Sequence, residues 1–326
     1  MNNRRNLLIV LGTAPFAPRA LFAQAEQPVL IGWLHFGGRN SQRSLLAALK
    51  EGLAALGWKE GSQFRIEDRA ADGELGRLAS LAQELAAKKP ALIVAVSLSA
   101  ATRAAKAAPE IPIVMVAIGD PITAGLVTNL ARPGGMVTGL AGFGAELAGK
   151  HLELLLAATP TLKRIGFLAS LPSRNRAAAM EAARRSAAHY AVEAMFAEVA
   201  SPEDIEPAIY RLAKEGAQAL VVLQSVLLAE ERPRIVRLAL AQRWPMVAGL
   251  RSFAVEGALL SYGSNARARF RRAAYYVDRI LKGAKPGDIP IEQPMTFQFV
   301  VNLKTAKALG ITIPPWILLH ADEVIQ

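Results

Sequence analysis

The side chains able to do chemistry in this chain are short polar ones set just after apolar runs. His35, Phe36 and Ser41 follow the run 29–34; Ser97, Ser99 and Ala100 follow 91–96; Gly119 and Asp120 follow 113–118. Further on, Ser170, Arg174 and Asn175 follow 164–169, Gln224 and Ser225 follow 219–223, Arg251 follows 245–248, and Tyr262 ends 258–262. Hydroxyls, amides and one or two charges hold a small molecule by hydrogen bonds and do not make a nucleophile–base pair. Ser97 and Ser99 stand where a helix begins, and the free N–H groups and positive dipole end there attract a carboxylate. Asp120-Pro121 has the form of a helix start, with Asp as N-cap and Pro in the first turn, which accounts for Asp120 without a general-base role.

Other chemistries find no constellation. The chain has no Cys, so thiolate catalysis, disulfides and Cys-based metal sites are excluded. Its four His (35, 151, 189 and 320) are scattered, and no Asp/Glu/His set has metal-ligand spacing. There is no Walker A, G-x-S-x-G or H-E-x-x-H pattern, and Gly139-x-x-Gly142-x-Gly144 has the wrong order for a dinucleotide fingerprint. The expectation is a binding protein with no cofactor, no metal and no catalytic residue.

The elements that must position these loops alternate. Apolar strand runs and helices with i, i+3, i+4 stripes follow one another four times before residue 118, the mark of a parallel sheet covered on both faces. The alternation restarts with a helix at 145–156 and continues to about 250. The fold class is α/β: two Rossmann-like lobes with parallel sheets, joined by a three-crossing hinge. The sequence places 26–118 plus 251–294 in lobe 1 and 119–250 plus 295–326 in lobe 2. Crossings are expected near 119–140, 249–257 and 292–298. A ligand then sits at the carboxyl ends of the strands, between lobes that close around it.

At 326 residues, 52% hydrophobic and 20% charged, the chain is globular and long enough for two domains. The net charge of +11 raises nucleic acid as a partner, but the charges are dispersed. The densest run, Arg267-Ala268-Arg269-Phe270-Arg271-Arg272, reads as the solvated face of an amphipathic helix, so no nucleic acid is expected. Residues 1–25 read as a signal peptide: Arg4-Arg5, an apolar stretch over 7–17, and the small-x-small Ala23-Gln24-Ala25. Cleavage falls after Ala23 or Ala25, by the general or the twin-arginine route, and the mature protein is expected to be a monomer in the periplasm.

Several blocks carry a family resemblance: Gly119-Asp120-Pro121, Leu130-Ala131-Arg132-Pro133-Gly134-Gly135, Ser261-Tyr262-Gly263, Lys282-Gly283-Ala284-Lys285-Pro286, Ile289-Pro290-Ile291-Glu292-Gln293-Pro294, and Asn302-Leu303-Lys304-Thr305-Ala306-Lys307. Over 28–325 the sequence resembles the substrate-binding proteins of ABC transporters. That resemblance implies a type I periplasmic-binding-protein fold, export, no catalysis, and delivery of a solute to an inner-membrane permease. It also implies a likeness to uptake receptors for aromatic amino acids such as tryptophan. By position, Ser97 and Ser99 would meet the ligand carboxylate, with Gly119 and Asp120 nearby. The chain departs from the family pattern at Gln224-Ser225, where Asp-Pro is frequent, and at Ser170-Leu171-Pro172, where an Asn-Pro type is usual. Two other classes fit the same loops: a ligand-sensing domain that feeds a signalling partner, and an α/β enzyme acting on sugars or nucleotides.

Overall fold

The computed structural model describes residues 27–116, 119–142, 146–171, 173, 175–293 and 296–326. The expected signal peptide and Arg174 lie outside the described residues, as does the side chain of Ser41. The chain forms two α/β lobes, each around its own mainly parallel sheet.

The first lobe runs β1 (Val29–His35), α1 (Arg39–Ala55), β2 (Phe64–Ala70), α2 (Arg77–Ala87), β3 (Leu92–Val96), α3 (Leu98–Ala107), β4 (Ile113–Val116) and β5 (Val137–Leu140). Its sheet has the order β2-β1-β3-β4-β5 with every pair parallel. Alternate residues of each strand serve opposite faces. Ile93, Ala95, Ile113 and Met115 pack on α2 and α3, while Ile31, Trp33, Val94 and Val114 face α1.

The second lobe continues with α4 (Glu146–Ala158), β6 (Arg164–Ser170), α5 (Arg176–His189), β7 (Glu193–Val199), α6 (Ile205–Lys214), β8 (Ala219–Val222), α7 (Val226–Glu230), α8 (Arg232–Ala241), β9 (Met246–Ala248), α9 (Arg251–Glu256) and β10 (Leu260–Ser264). α10 (Ala266–Leu281) then returns to the first lobe, and β11 (Phe297–Asn302), α11 (Leu303–Leu309), α12 (Pro315–His320) and β12 (Glu323–Ile325) finish the second. The second sheet has the order β12-β11-β10-β9-β8-β6-β7, antiparallel between β10 and β11.

Three expectations change. The segment 136–140 is not a crossing: it is strand β5, which pairs with β4 inside the first sheet, and the chain leaves that lobe only afterwards. Residues 251–264 belong to the second lobe, because β10 pairs with β9 and Phe253 of α9 packs in that lobe's core. The second passage therefore falls at Ser264-Asn265, later than 249–257. Asp120-Pro121 opens a single turn and no α-helix, since Gly125 takes a left-handed φ of 70° right after it.

The third passage is clamped by α10. Arg272 holds Glu292 through two hydrogen bonds of 2.6 and 3.0 Å, Tyr276 Oη donates to the Pro290 carbonyl, and Thr138 Oγ1 donates to the Ile289 carbonyl. The Arg272 guanidinium keeps the Glu292 carboxyl below its ordinary range.

Under the second sheet, His151 of α4 is fully buried, with Nε2 2.6 Å from the Tyr262 carbonyl it donates to. Burial lowers its pKa to about 4. A group whose folded pKa lies below its unfolded one stabilises the native state above the unfolded pKa, and that stability drains away as pH falls toward the folded pKa. Between pH 7 and 4.5 this one group should remove about 2 kcal/mol. Urea denaturation at the two pH values checks it: the loss should shrink by about that much in His151→Gln.

Candidate functional site

Between the carboxyl ends of the two sheets lies a cavity of about 780 Å³ lined from both lobes. From the first lobe come Phe36, Gln42, Ser44, Ser97, Ser99 and Val116; from the second, Ser170, Ser173, Asn175, Gln224, Ser225 and Arg251. The β10–α10 passage adds Ser264, Asn265 and Arg269, and β11 adds Gln298. Such a position follows from parallel sheets, whose loops and helix starts all gather at the carboxyl edge.

Ser97 ends β3 and caps α3, its Oγ accepting from the Ala100 N–H at 3.0 Å. Its backbone sits at φ 156°, ψ 162°, a region left almost entirely to glycine. Such strain persists only where the surroundings hold it, and here it sets a serine at the lip of the cavity. Ser225 caps α7 in the same way, and Asn265 caps α10, accepting from the Ala268 N–H at 3.0 Å. α3 and α10 thus turn their positive ends toward the same space.

Gln224 lies across Gly249: a Cβ there would meet Nε2 at 2.1 Å. Its Oε1 is buried and makes no protein hydrogen bond, which a ligand group at the cavity wall would satisfy. Arg251 lines the rim, but β12 holds its guanidinium, with two 2.6 Å bonds to Glu323. Those bonds raise the Arg251 pKa further and fix its position.

Of the residues marked in the sequence, Phe36, Ser97, Ser99, Ser170, Asn175, Gln224, Ser225 and Arg251 meet at the cavity. Five described ones do not. His35 is buried beneath it, Nε2 3.0 Å from Asp68 Oδ1 on β2. Ala100 lies in the α3 core. Asp120 is exposed and spends its carboxylate on the Thr123 hydroxyl, which does most to pull its pKa down, and on the Ile122 N–H. Gly119 touches the other lobe and not the cavity, because the Asn175 amide packs where its Cβ would be. Tyr262 is not in the cavity wall: its ring packs on the second lobe's core, stacked on Phe297 with 5.4 Å between ring centroids.

Sequence reasoning missed Asn265, Ser264 and Arg269. The first two carried a readable signal, a polar cap between strand and helix like Ser97. Arg269 was hidden inside a basic run taken as solvated. The run divides by helical position: Arg267 and Arg271 face out and grip Glu51, whereas Arg269 shares a side with Phe270, Ala273 and Tyr276 and is 8% exposed. Among the described residues no group of His, Asp or Glu could hold a metal, and no helix is long and apolar enough to cross a membrane.

Comparison with known proteins matches residues 38–325 to the family described as ABC transporter substrate binding protein. A tyrosine-binding protein of Clostridioides difficile is 28% identical over 272 residues, 83% of this chain and 77% of that one. The ABC domain from Streptococcus pneumonia in complex with L-Trp has a TM-score of 0.85 at 29% identity, covering 92% of this chain and all of the other. A conserved domain protein of Vibrio cholerae has a TM-score of 0.86 at 26% identity, covering 91% of this chain and all of the other.

The Ser97 backbone gives a stability test. Ser97→Ala and Ser97→Gly remove the same capping hydroxyl, a loss of about 1 kcal/mol for alanine, but only glycine relaxes at this φ. Thermal denaturation should find Ser97→Gly more stable than Ser97→Ala.

Proposed function

Because this chain belongs to the family of ABC transporter substrate-binding proteins, we propose that it is an exported receptor of an importer, closing its lobes on a small polar ligand. The ligand class is an aromatic or branched amino acid or a related small carboxylate. The observation that carries the reading is a cavity walled by both lobes, with the capped start of α3 at Ser97 and Ser99 on one side and Gln224 on the other. A ligand touching both walls binds the closed form better than the open one, and that difference supplies the energy of closure. The closed form is then what a permease recognises. No step breaks a bond, so the protein is not an enzyme.

Phe36, Val116 and Phe270 give the cavity apolar surface for a hydrophobic body, and the capped helix starts give it a place for a carboxylate. The basic and apolar start of the chain, with Ala23-Gln24-Ala25, supports export to the periplasm. The monomeric state and the permease partner belong to the same reading.

Thermal-shift screening of the mature protein against amino acids and small acids tests it, since a true ligand raises the melting point by mass action. With a ligand in hand, calorimetry should show Ser99→Ala and Gln224→Ala weakening binding about 10-fold or more, the worth of one good hydrogen bond to a charged group. Asp120→Ala should leave affinity unchanged, because its carboxylate is occupied in its own turn. Unchanged affinity in both cavity variants would place the ligand elsewhere.

A further inference from the structure

The second-lobe wall of the cavity is built from the ends of three neighbouring strands. β8, β9 and β10 lie side by side and parallel, with Val222 opposite Ala248 and Ala248 opposite Ser261. Gln224 and Gly249 come just after β8 and β9, Gly263 stands near the end of β10, and all three line the cavity. The Gln224 Oε1 is buried and accepts no hydrogen bond from the protein, so no bond of that atom fixes the amide. What fixes it is a seat without side chains.

The seat is tight on two sides. A Cβ at position 249 would meet Nε2, Cδ and Cγ of Gln224 at 2.1, 2.7 and 2.8 Å, so the amide lies directly on the Gly249 backbone. A Cβ at position 263 would stand 1.9 Å from the Gly249 carbonyl oxygen, so Gly249 has no room to give toward β10. Gly249 does not take a positive φ. Its lack of a side chain therefore answers to the space that Gln224 occupies and not to backbone conformation. A buried acceptor left unmet costs the fold stability. A wall that holds an amide in place at that cost leaves the missing hydrogen bond to a ligand.

We infer that Gly249 is a positioning residue for ligand binding: it seats the Gln224 amide in the second-lobe wall, across the cavity from the capped start of α3. The inference rests on the receptor reading above and names what sets one of its two walls. Gly249 gives no group to the ligand and acts through Gln224. A glutamine side chain has several rotatable bonds to immobilise. The seat immobilises them on folding, so binding does not bear that cost. A methyl group at position 249 pushes the amide from its seat, because the backbone beneath it is pinned against Gly263.

Two measurements test it, and the first needs no ligand. In NMR spectra of the isotope-labelled mature protein, the Gln224 side-chain amide is assigned by its absence from Gln224→Ala. Its order parameter should lie near the rigid value of about 0.85 in the wild type and fall below about 0.6 in Gly249→Ala. The second is calorimetry with L-tryptophan, indole-3-propionate, L-leucine and 4-methylpentanoate as probes. For a probe that binds, Gly249→Ala and Gln224→Ala should each weaken binding about 10-fold, and the double variant no more than Gln224→Ala alone. A residue that only supports the fold would add its own loss in the double variant. If Gly249→Ala does not fold, the double variant still should, because the truncated side chain leaves the methyl group room. An amide already mobile in the wild type, an amide unmoved in Gly249→Ala, additive losses, or a double variant that fails to fold where Gln224→Ala folds each overturns this inference and leaves the receptor reading intact. Silence of the wild-type protein toward every probe overturns the ligand class of the receptor reading, and the amide signals still decide the inference.

Discussion

A parallel sheet must be covered on both faces, and the first lobe cannot do this with its own contiguous chain. α2 and α3 cover one face; α1 covers only part of the other. The rest is closed by α10, which arrives more than a hundred residues after β5 has left the lobe and packs over β4 and β5. Phe270, Tyr276, Val277 and Ile280 are buried there, each larger side chain contributing about 1.5–3 kcal/mol. Gly52 of α1 lets the two helices touch: a Cβ at that position would lie 2.5 Å from the Arg271 carbonyl.

The hinge and the cavity follow from that requirement. For α10 to reach the first sheet the chain must return from the second lobe, and for β11 it must go back again. Three strands of chain therefore join the lobes, and α10 fastens the last of them through Arg272, Tyr276 and Glu292. The same helix starts at the second passage, so its cap Asn265 and its first turn stand at the cavity. One helix thus completes a hydrophobic core, anchors the third passage and furnishes part of the cavity wall.

The two walls differ in how rigidly they present their groups. Ser97 is locked by a cap and a strained backbone, Arg251 by Glu323, and Gln224 by the space that Gly249 leaves. The Asn175 amide resting on Gly119 is a direct contact between lobes beside the cavity, and it requires a residue without a side chain at 119.

The alternation of strands and helices, the class of fold, and the helix start at Ser97 were legible in the sequence, because periodicity and capping are local and each is decided within a turn or two of chain. Lobe membership was not. β5 and β10 look like any apolar strand, and only pairing with β4 and β9 assigns them. Asp120 and Tyr262 were misplaced for a related reason: a loop side chain satisfies itself locally when it can, and a ring on a strand packs on the aromatic neighbours that the paired strand brings to it. Arg269 is the sharpest case. Its sequence neighbours are exposed arginines, and a helix carries one residue about 100° around from the next, so a single basic run holds both solvated charges and a buried one. Composition showed that the run was basic; which member turns inward was decided only when α10 docked on the first sheet, because burial is a property of the partner surface and not of the helix itself.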